Sequence, residues 1–177
     1  MDTRYNRTAR LLHWLIAVLL IAQFVFGWWL GDIARNTPAR GYYVNLHKSS
    51  GLLIGLLIVL RLVWRFLHSP PPLPDTVPRW QQRLAAAGHI GMYVCMVFMP
   101  LSGYLASNFS KHGVELFNTV LLPPWGSDDK LLYTVFNQSH KITAVALSGL
   151  VVVHVLAGLR HGLQRDGIIS RIWLRPF

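Results

Sequence analysis

Four long apolar stretches, separated by polar or proline-rich segments, dominate the pattern of this chain. They cover residues 11–30, 46–67, 84–106 and 139–163. Each has the roughly 20 residues that a helix needs to cross the hydrocarbon core of a bilayer. The pattern predicts an all-α protein, a transmembrane four-helix bundle in which residues 1–177 form a single membrane domain.

Composition and charge agree with a membrane protein. Hydrophobic residues make up 53% of the chain and charged residues 14%, and the mean hydropathy is +0.37. A net charge of +10 would suggest nucleic acid in a soluble protein, but here the arginines gather near both termini and in the linker between the second and third stretches. Because cytoplasmic segments are rich in Lys and Arg, we expect both termini to be cytoplasmic, with membrane lipid and no nucleic acid as partner.

The fourth stretch carries two histidines, His140 and His154, fourteen residues apart. At about 100° and 1.5 Å per residue, their side chains lie within about 40° of each other around the helix and about 21 Å apart along it. Ionisable side chains are costly in hydrocarbon and require partners. Two stacked haems, each with one ligand from this helix, would supply those partners.

The other helical histidines sort into two depths. His47 begins the second stretch and lies at the outer level with His140, whereas His13 and His89 lie at the cytoplasmic level with His154. Two levels that each offer a pair of imidazoles fit two b-type haems with bis-histidine ligation. His47 pairs with His140. His154 pairs with either His13 or His89; we prefer His13, with His89 contacting that ligand or a haem propionate.

Small and basic residues accompany the outer histidines. Gly51 and Gly55 follow His47 at i+4 and i+8, on nearly one helix face. They either leave room for a haem plane or serve small-residue helix packing. Lys48 and Lys141 directly follow the two outer histidines, and they either neutralise haem propionates and attract an anion or extend to the membrane interface.

The remaining segments read as connections. One polar residue, Gln23, interrupts the first stretch, and Pro38 and Gly41 are turn signals before the second. We expect residues 107–138 to cap the outer end of the bundle, and residues 164–177 to form a short interfacial amphipathic helix. Haem-free helix packing is an alternative for the histidines. A metal-ion pathway is another, but such pathways favour carboxylates, which this chain confines to loops and tails.

Together these residues resemble the bacterial cytochrome b561 family. The resemblance covers nearly the whole chain and rests on Arg-Leu-Leu-His13-Trp, His47-Lys-Ser-Ser-Gly51, Ala-Gly88-His89, and His140 with His154. It implies a multi-pass protein of the bacterial inner membrane that binds two haem b groups. It also implies that His13 with His154, and His47 with His140, are the iron ligands.

The resemblance also suggests a function. The family includes a superoxide oxidase, which passes electrons from superoxide at the periplasmic face through the haems to ubiquinone. We therefore expect an electron-transport oxidoreductase that takes electrons from superoxide or another periplasmic donor and reduces ubiquinone. The same architecture is similar to cytochrome b subunits that anchor hydrogenases and other dehydrogenases, so an electron-relay subunit of a partner dehydrogenase is the alternative.

Overall fold

A computed structural model describes residues 4–72 and 77–174. Its four long helices are α1 (Arg7–Trp29), α2 (Pro38–Leu67), α3 (Arg79–Asn108) and α4 (Lys130–Gln164). All four are long and apolar enough to cross a membrane. A two-stranded antiparallel hairpin, β1 (Val114–Leu116) and β2 (Val120–Leu122), joins α3 to α4. The predicted all-α, four-helix membrane bundle is confirmed.

All four helices begin earlier than their apolar stretches. The Thr37 hydroxyl accepts a hydrogen bond from the Arg40 amide at 3.2 Å, and Pro38 occupies the first turn of α2, where a proline is well tolerated. The Asp129 carboxylate accepts from the Leu131 and Leu132 amides and caps α4. The interpretation of Pro38 and Gly41 as turn residues is therefore wrong, because capping side chains extend the helices into polar sequence.

An apolar core fills the middle of the bundle. α1 contributes Ile16, Leu20 and Phe24, and the other helices contribute Ile54, Ile58, Met99 and Leu147. Leu147 is fully buried and stands seven residues from both His140 and His154. Apolar side chains such as Val18 and Leu156 are more than half exposed on the outside of the bundle, where a lipid bilayer would cover them. The core therefore separates the two histidine levels.

Both described ends of the chain lie at the same end of the bundle. The Tyr5 amide donates to the Arg171 carbonyl at 3.1 Å, and the Arg171 guanidinium donates to the carbonyls of Pro71 and Pro72. Instead of the amphipathic helix predicted over residues 164–177, the described part holds one short 3-10 turn, Ile169–Arg171. Arg171 is 6% exposed and ties the tail to the α2–α3 linker; residues 175–177 lie outside the described residues. We call this the termini end.

A pair of side chains closes the C-terminus of α4. Arg165 ends the helix in the left-handed conformation, and the Asp166 carboxylate then reaches back to the His161 ring. Desolvation raises the pKa of the Asp166 carboxyl, but its hydrogen bonds with His161 and the Ile168 amide outweigh this and lower the pKa. Asp166 is thus held as an anion beside the helix terminus.

The opposite end, which we call the hairpin end, is closed by the β-hairpin on α2. Lys48 Nζ donates to the Gly113 carbonyl at 2.8 Å, and Asn45 Nδ2 donates to the Glu115 carboxylate at 2.9 Å. The Phe117 amide donates to Ser49 Oγ at 2.8 Å. The helices occupy part of the segment predicted as a loop over residues 107–138, so the connection that lies over this end is shorter than expected.

Candidate functional site

At the hairpin end, α2 and α4 bring two histidines close together. The ring centroids of His47 and His140 are 6.2 Å apart and the rings are inclined by 86°. We call this the hairpin-end pair. The two residues come from distant parts of the sequence. They lie at one level because α2 and α4 run in the same direction and each histidine is near the start of its helix, as their depth in the sequence predicted.

A peptide carbonyl of α3 fixes the His140 ring. His140 Nδ1 lies 2.8 Å from the Met99 carbonyl oxygen, and because a carbonyl only accepts, the ring carries its proton on Nδ1. A Cβ on Gly103 would lie 3.0 Å from the same Nδ1, so only glycine lets the ring approach α3 this closely. Nε2 of His140 keeps its lone pair, which is the form that binds a metal.

A buried amide of α1 holds the His47 ring. Gln23 is 8% exposed; its Nε2 donates to the His47 carbonyl at 2.8 Å and lies 3.1 Å from His47 Nδ1. The Ser50 hydroxyl donates to Gln23 Oε1 at 2.8 Å, which orients the amide. A Cβ on Gly27 would lie 3.1 Å from the His47 ring. The orientation of the His47 ring is therefore fixed by the contact of Gln23 with Nδ1 and by the close approach of Gly27.

At the termini end, three histidines meet around α4. The ring centroids of His13 and His154 are 6.1 Å apart, and those of His89 and His154 are 5.5 Å apart. We call His13 with His154 the termini-end pair. The structure thus brings together all five helical histidines that the sequence singled out, at two levels separated by the apolar core.

The spacing of both pairs can be compared with that required by a shared iron. A metal–imidazole nitrogen bond is about 2 Å and a ring nitrogen lies about 1.1 Å from its centroid, so two rings trans across one iron have centroids about 6.2 Å apart. The hairpin-end and termini-end pairs, at 6.2 and 6.1 Å, fit this spacing. His89, at 5.5 Å from His154, fits it less well.

The arrangement suits an iron whose remaining ligands come from a porphyrin. Among the described residues there is no group of three or more His, Cys, Asp or Glu side chains that would enclose a bare metal ion. α4 packs along α3, with few close backbone approaches to α1 or α2 within the described ranges. α4 therefore meets α1 and α2 through side chains, above all through the histidine pairs and Leu147.

A cation lies beside the termini-end pair. The Arg61 guanidinium of α2 has Nη2 3.3 Å from His13 Nδ1, and its Nη1 donates to the Ala9 carbonyl at 2.9 Å. Its Nε donates to the Tyr93 hydroxyl at 3.2 Å. Next to it opens a cavity of about 380 Å³, whose polar lining includes Arg4, Arg61, Arg65, His68 and Tyr93.

The glycines and lysines predicted as haem contacts have other neighbours in the structure. A Cβ on Gly51 would lie 3.3 Å from Gln23 Nε2, and one on Gly55 would lie 3.2 Å from the Pro100 ring. These are contacts of small residues between helices, the packing alternative. Lys48 is bonded to the hairpin backbone, whereas Lys141 is exposed.

Sequence reasoning missed the residues that hold the histidine rings. Gln23 was visible as the one polar residue in its apolar stretch, but nothing in the sequence connected it to His47. Gly27 and Gly103 carry no local signal, because their role depends on which ring the neighbouring helix presents. Arg61 was explained by the topology of the charges, which hid its contact with His13.

Comparison with known proteins gives the same family. The family described as Prokaryotic cytochrome b561 matches residues 4–174. Cytochrome b561 homolog 2 of Escherichia coli (strain K12) is 30% identical over 172 residues, which cover 96% of this chain and 90% of that protein. Cytochrome b561 homolog 1 of the same organism is 24% identical over 179 residues, 97% of this chain and 98% of that protein.

The family match extends over nearly all of the chain, including every helix that carries a histidine pair. Membership implies binding of haem b and membrane electron transfer, and the four spanning helices fit a multi-pass protein of the bacterial inner membrane. The chain therefore belongs to the prokaryotic cytochrome b561 family of membrane cytochromes b.

Proposed function

We propose that this cytochrome binds two haem b groups and carries electrons from a periplasmic donor, specifically superoxide, to ubiquinone. The observation that carries the proposal is the presence of two histidine pairs, at opposite ends of one bundle, with ring spacings of 6.2 and 6.1 Å. His47 and His140 would hold one haem, and His13 and His154 the other. When bound, the haems supply the one-electron redox chemistry.

The direction of transfer follows from the distribution of charge. Arginines surround the termini end, including Arg4, Arg10, Arg61 and Arg65, and positive residues favour the cytoplasmic side. The hairpin end then faces the periplasm, where Lys48 and Lys141 lie next to the hairpin-end pair. Their positive charge would attract an anionic donor such as superoxide.

The cavity at the termini end supports a quinone as acceptor. Its volume of about 380 Å³ falls within the usual range of about 300–1,000 Å³ for small-molecule sites. Tyr93, Arg65 and His68 line it and offer hydrogen-bond donors to the two carbonyl oxygens of a quinone ring. Arg61 lines the cavity and also touches His13, so the cavity adjoins the termini-end pair.

The overall reaction balances without a further reactant. Two superoxide anions give up one electron each and leave as dioxygen. The quinone takes up these two electrons with two protons from water at the termini end and becomes a quinol. The protein's own residues attract the anion, hold the haems and orient the quinone.

A reconstituted assay tests this function. The purified chain in liposomes with ubiquinone should form quinol when superoxide is generated outside. It should do so faster than liposomes with the His154→Ala variant, which would lose a ligand of the termini-end haem. The His154→Ala control is needed because superoxide also reacts with quinone directly. If quinol forms only after a membrane dehydrogenase is added, the chain is an electron-relay subunit and the superoxide proposal is wrong.

A further inference from the structure

Arg61 is a cation held against one ring of the termini-end pair. It projects from α2, and its three nitrogens contact α1 and α3: the Ala9 carbonyl at 2.9 Å, the Tyr93 hydroxyl at 3.2 Å and His13 Nδ1 at 3.3 Å. Within the described residues, no carboxylate forms an ion pair with it. Its charge is therefore directed at His13 and is not cancelled by a nearby acid.

The hairpin-end rings have a different environment. His140 Nδ1 faces the Met99 carbonyl, and donation to a carbonyl makes an imidazole a more electron-rich iron ligand. His47 Nδ1 faces the neutral amide of Gln23. Because a guanidinium has donors and no acceptor, His13 cannot donate to Arg61 and does not become more electron-rich in this way. The groups in contact with Nδ1 of each hairpin-end ring are thus neutral, whereas the group in contact with Nδ1 of His13 is a cation.

The hairpin end carries both positive and negative side chains, whose charges partly cancel. Lys48 directs its ammonium to the Gly113 carbonyl at 2.8 Å. The Glu115 carboxylate lies at the same end, bonded to Asn45 at 2.9 Å. Lys141 is exposed and is screened by water and salt.

We infer that Arg61 raises the reduction potential of the termini-end haem above that of the hairpin-end haem, so that electron transfer from the hairpin end to the termini end is downhill. The inference rests on the proposed two-haem function. An oxidised haem iron carries one more positive charge than a reduced one, and a cation a few Å from its ligand disfavours the oxidised form. The electron-rich His140 ligand acts in the opposite sense at the other haem.

A redox titration of the quinone-depleted protein, followed by its optical spectrum, tests the inference. The His47→Ala background leaves the termini-end haem alone. There, Arg61→Gln should lower the ratio of reduced to oxidised haem about tenfold at a fixed potential, which is about 59 mV for a one-electron couple. Arg61→Lys, which keeps the charge, should change the ratio less than about threefold.

Arg65→Gln is the matched control. Arg65 lies one turn further along α2 and stacks over the Tyr93 ring at 5.7 Å, so it carries the same charge without the contact to His13. It should change the ratio less than about threefold. An equal effect of Arg65→Gln and Arg61→Gln would mean that the contact with His13 is irrelevant, and would overturn the inference.

Two further outcomes separate this inference from the proposed function. If Arg61→Gln does not bind haem, the two single-haem variants test the order of the potentials. The haem of His47→Ala must then have a higher reduction potential than the haem of His13→Ala, and the reverse order overturns the inference. If the wild-type chain binds both haems and Arg61→Gln leaves the potential unchanged, only the role of Arg61 is wrong. A wild-type chain with fewer than two haems would instead refute the proposed function itself.

Discussion

The hairpin-end pair and the termini-end pair share helix α4 and nearly the same ring spacing, but they are held in different ways. At the hairpin end each ring has a defined polar partner, Gln23 or the Met99 carbonyl, and a glycine beside it. At the termini end a third histidine, His89, approaches His154, and Arg61 touches His13. The rings of one pair are thus in contact with neutral groups, whereas the other pair has a cation in contact with one ring and a second candidate partner.

If each pair holds a haem as proposed, this difference would make the two haem sites unequal. The ring spacing is set by the helix backbones and fits a shared iron in both pairs. The groups that touch the outer nitrogen of each ring come from neighbouring helices and set how readily each iron would accept an electron. Under the proposed function, residues that do not bind the iron would therefore influence the direction of electron flow.

The largest expected effect concerns the partner of His154. His13→Ala should bind one haem fewer than the wild type, whereas His89→Ala should keep the full number, because the ring spacing of His13 from His154 fits a shared iron better than that of His89. Haem content per chain, measured by pyridine haemochrome absorbance, checks this. Loss of a haem in His89→Ala together with full content in His13→Ala would assign the ligand to His89.

The close packing of His140 against α3 can be broken with one methyl group. In Gly103→Ala the new Cβ would lie 3.0 Å from His140 Nδ1, and overpacking of this kind costs about 1–3 kcal/mol. We expect the hairpin-end haem to bind roughly tenfold or more weakly, as measured by haem transfer to apomyoglobin.

Gly149→Ala is the control for that substitution. Gly149 lies on the same helix as His140, about 180° around it, is exposed, and would have nothing within 4 Å of a new Cβ. Its haem affinity should equal that of the wild type. Equal weakening in both variants would show that the loss comes from α4 or α3 in general and not from contact with the ring.

The buried amide at the hairpin end should have a smaller effect. Gln23→Leu removes the hydrogen bond to the His47 carbonyl and the contact with Nδ1, and buried polar contacts between membrane helices contribute about 0.6–2 kcal/mol. We expect a lower midpoint temperature for loss of the haem spectrum. Ser148→Ala removes a hydroxyl that donates to the Ala144 carbonyl of the same helix at 2.7 Å, and this variant should lose its haem spectrum at the same temperature as the wild type. If both variants have the same midpoint temperature, Gln23 does not stabilise the His47 ring.

The smallest effect should come from the exposed charges of the hairpin end. Lys48→Ala combined with Lys141→Ala should slow superoxide oxidation about threefold at low ionic strength and weaken its dependence on salt. Lys111→Ala is the control, because Asp128 lies 3.5 Å from this lysine and offsets its charge. Unchanged kinetics in the double variant would remove the two lysines from anion attraction.

Much of the architecture could be predicted from the sequence, because long apolar stretches determine where the membrane-spanning helices lie. Apolar stretches revealed four helices, and the depth of each histidine within them predicted which rings would meet. The helix starts were missed, since Thr37 and Asp129 extend α2 and α4 through polar sequence that hydropathy alone assigns to loops.

The contacts around each ring could not be predicted from the sequence. Whether Gly103 or Gly51 lies against a histidine depends on the rotation and approach of α3 and α2, which hydropathy does not define. Arg61 fits the general excess of arginine near the termini end, so its contact with His13 emerged only from the structure. The sequence identified the histidines by their residue type and their depth in the apolar stretches. The residues that contact their rings were identified only from the structure.

A dithionite-reduced minus oxidised optical spectrum of the detergent-purified protein, with the extracted haem counted per chain, tests most directly whether the two histidine pairs hold two haems. We expect b-type bands, two haems per chain in the wild type and one in His47→Ala. One haem in the wild type, or none in a folded preparation from haem-replete cells, would contradict this expectation.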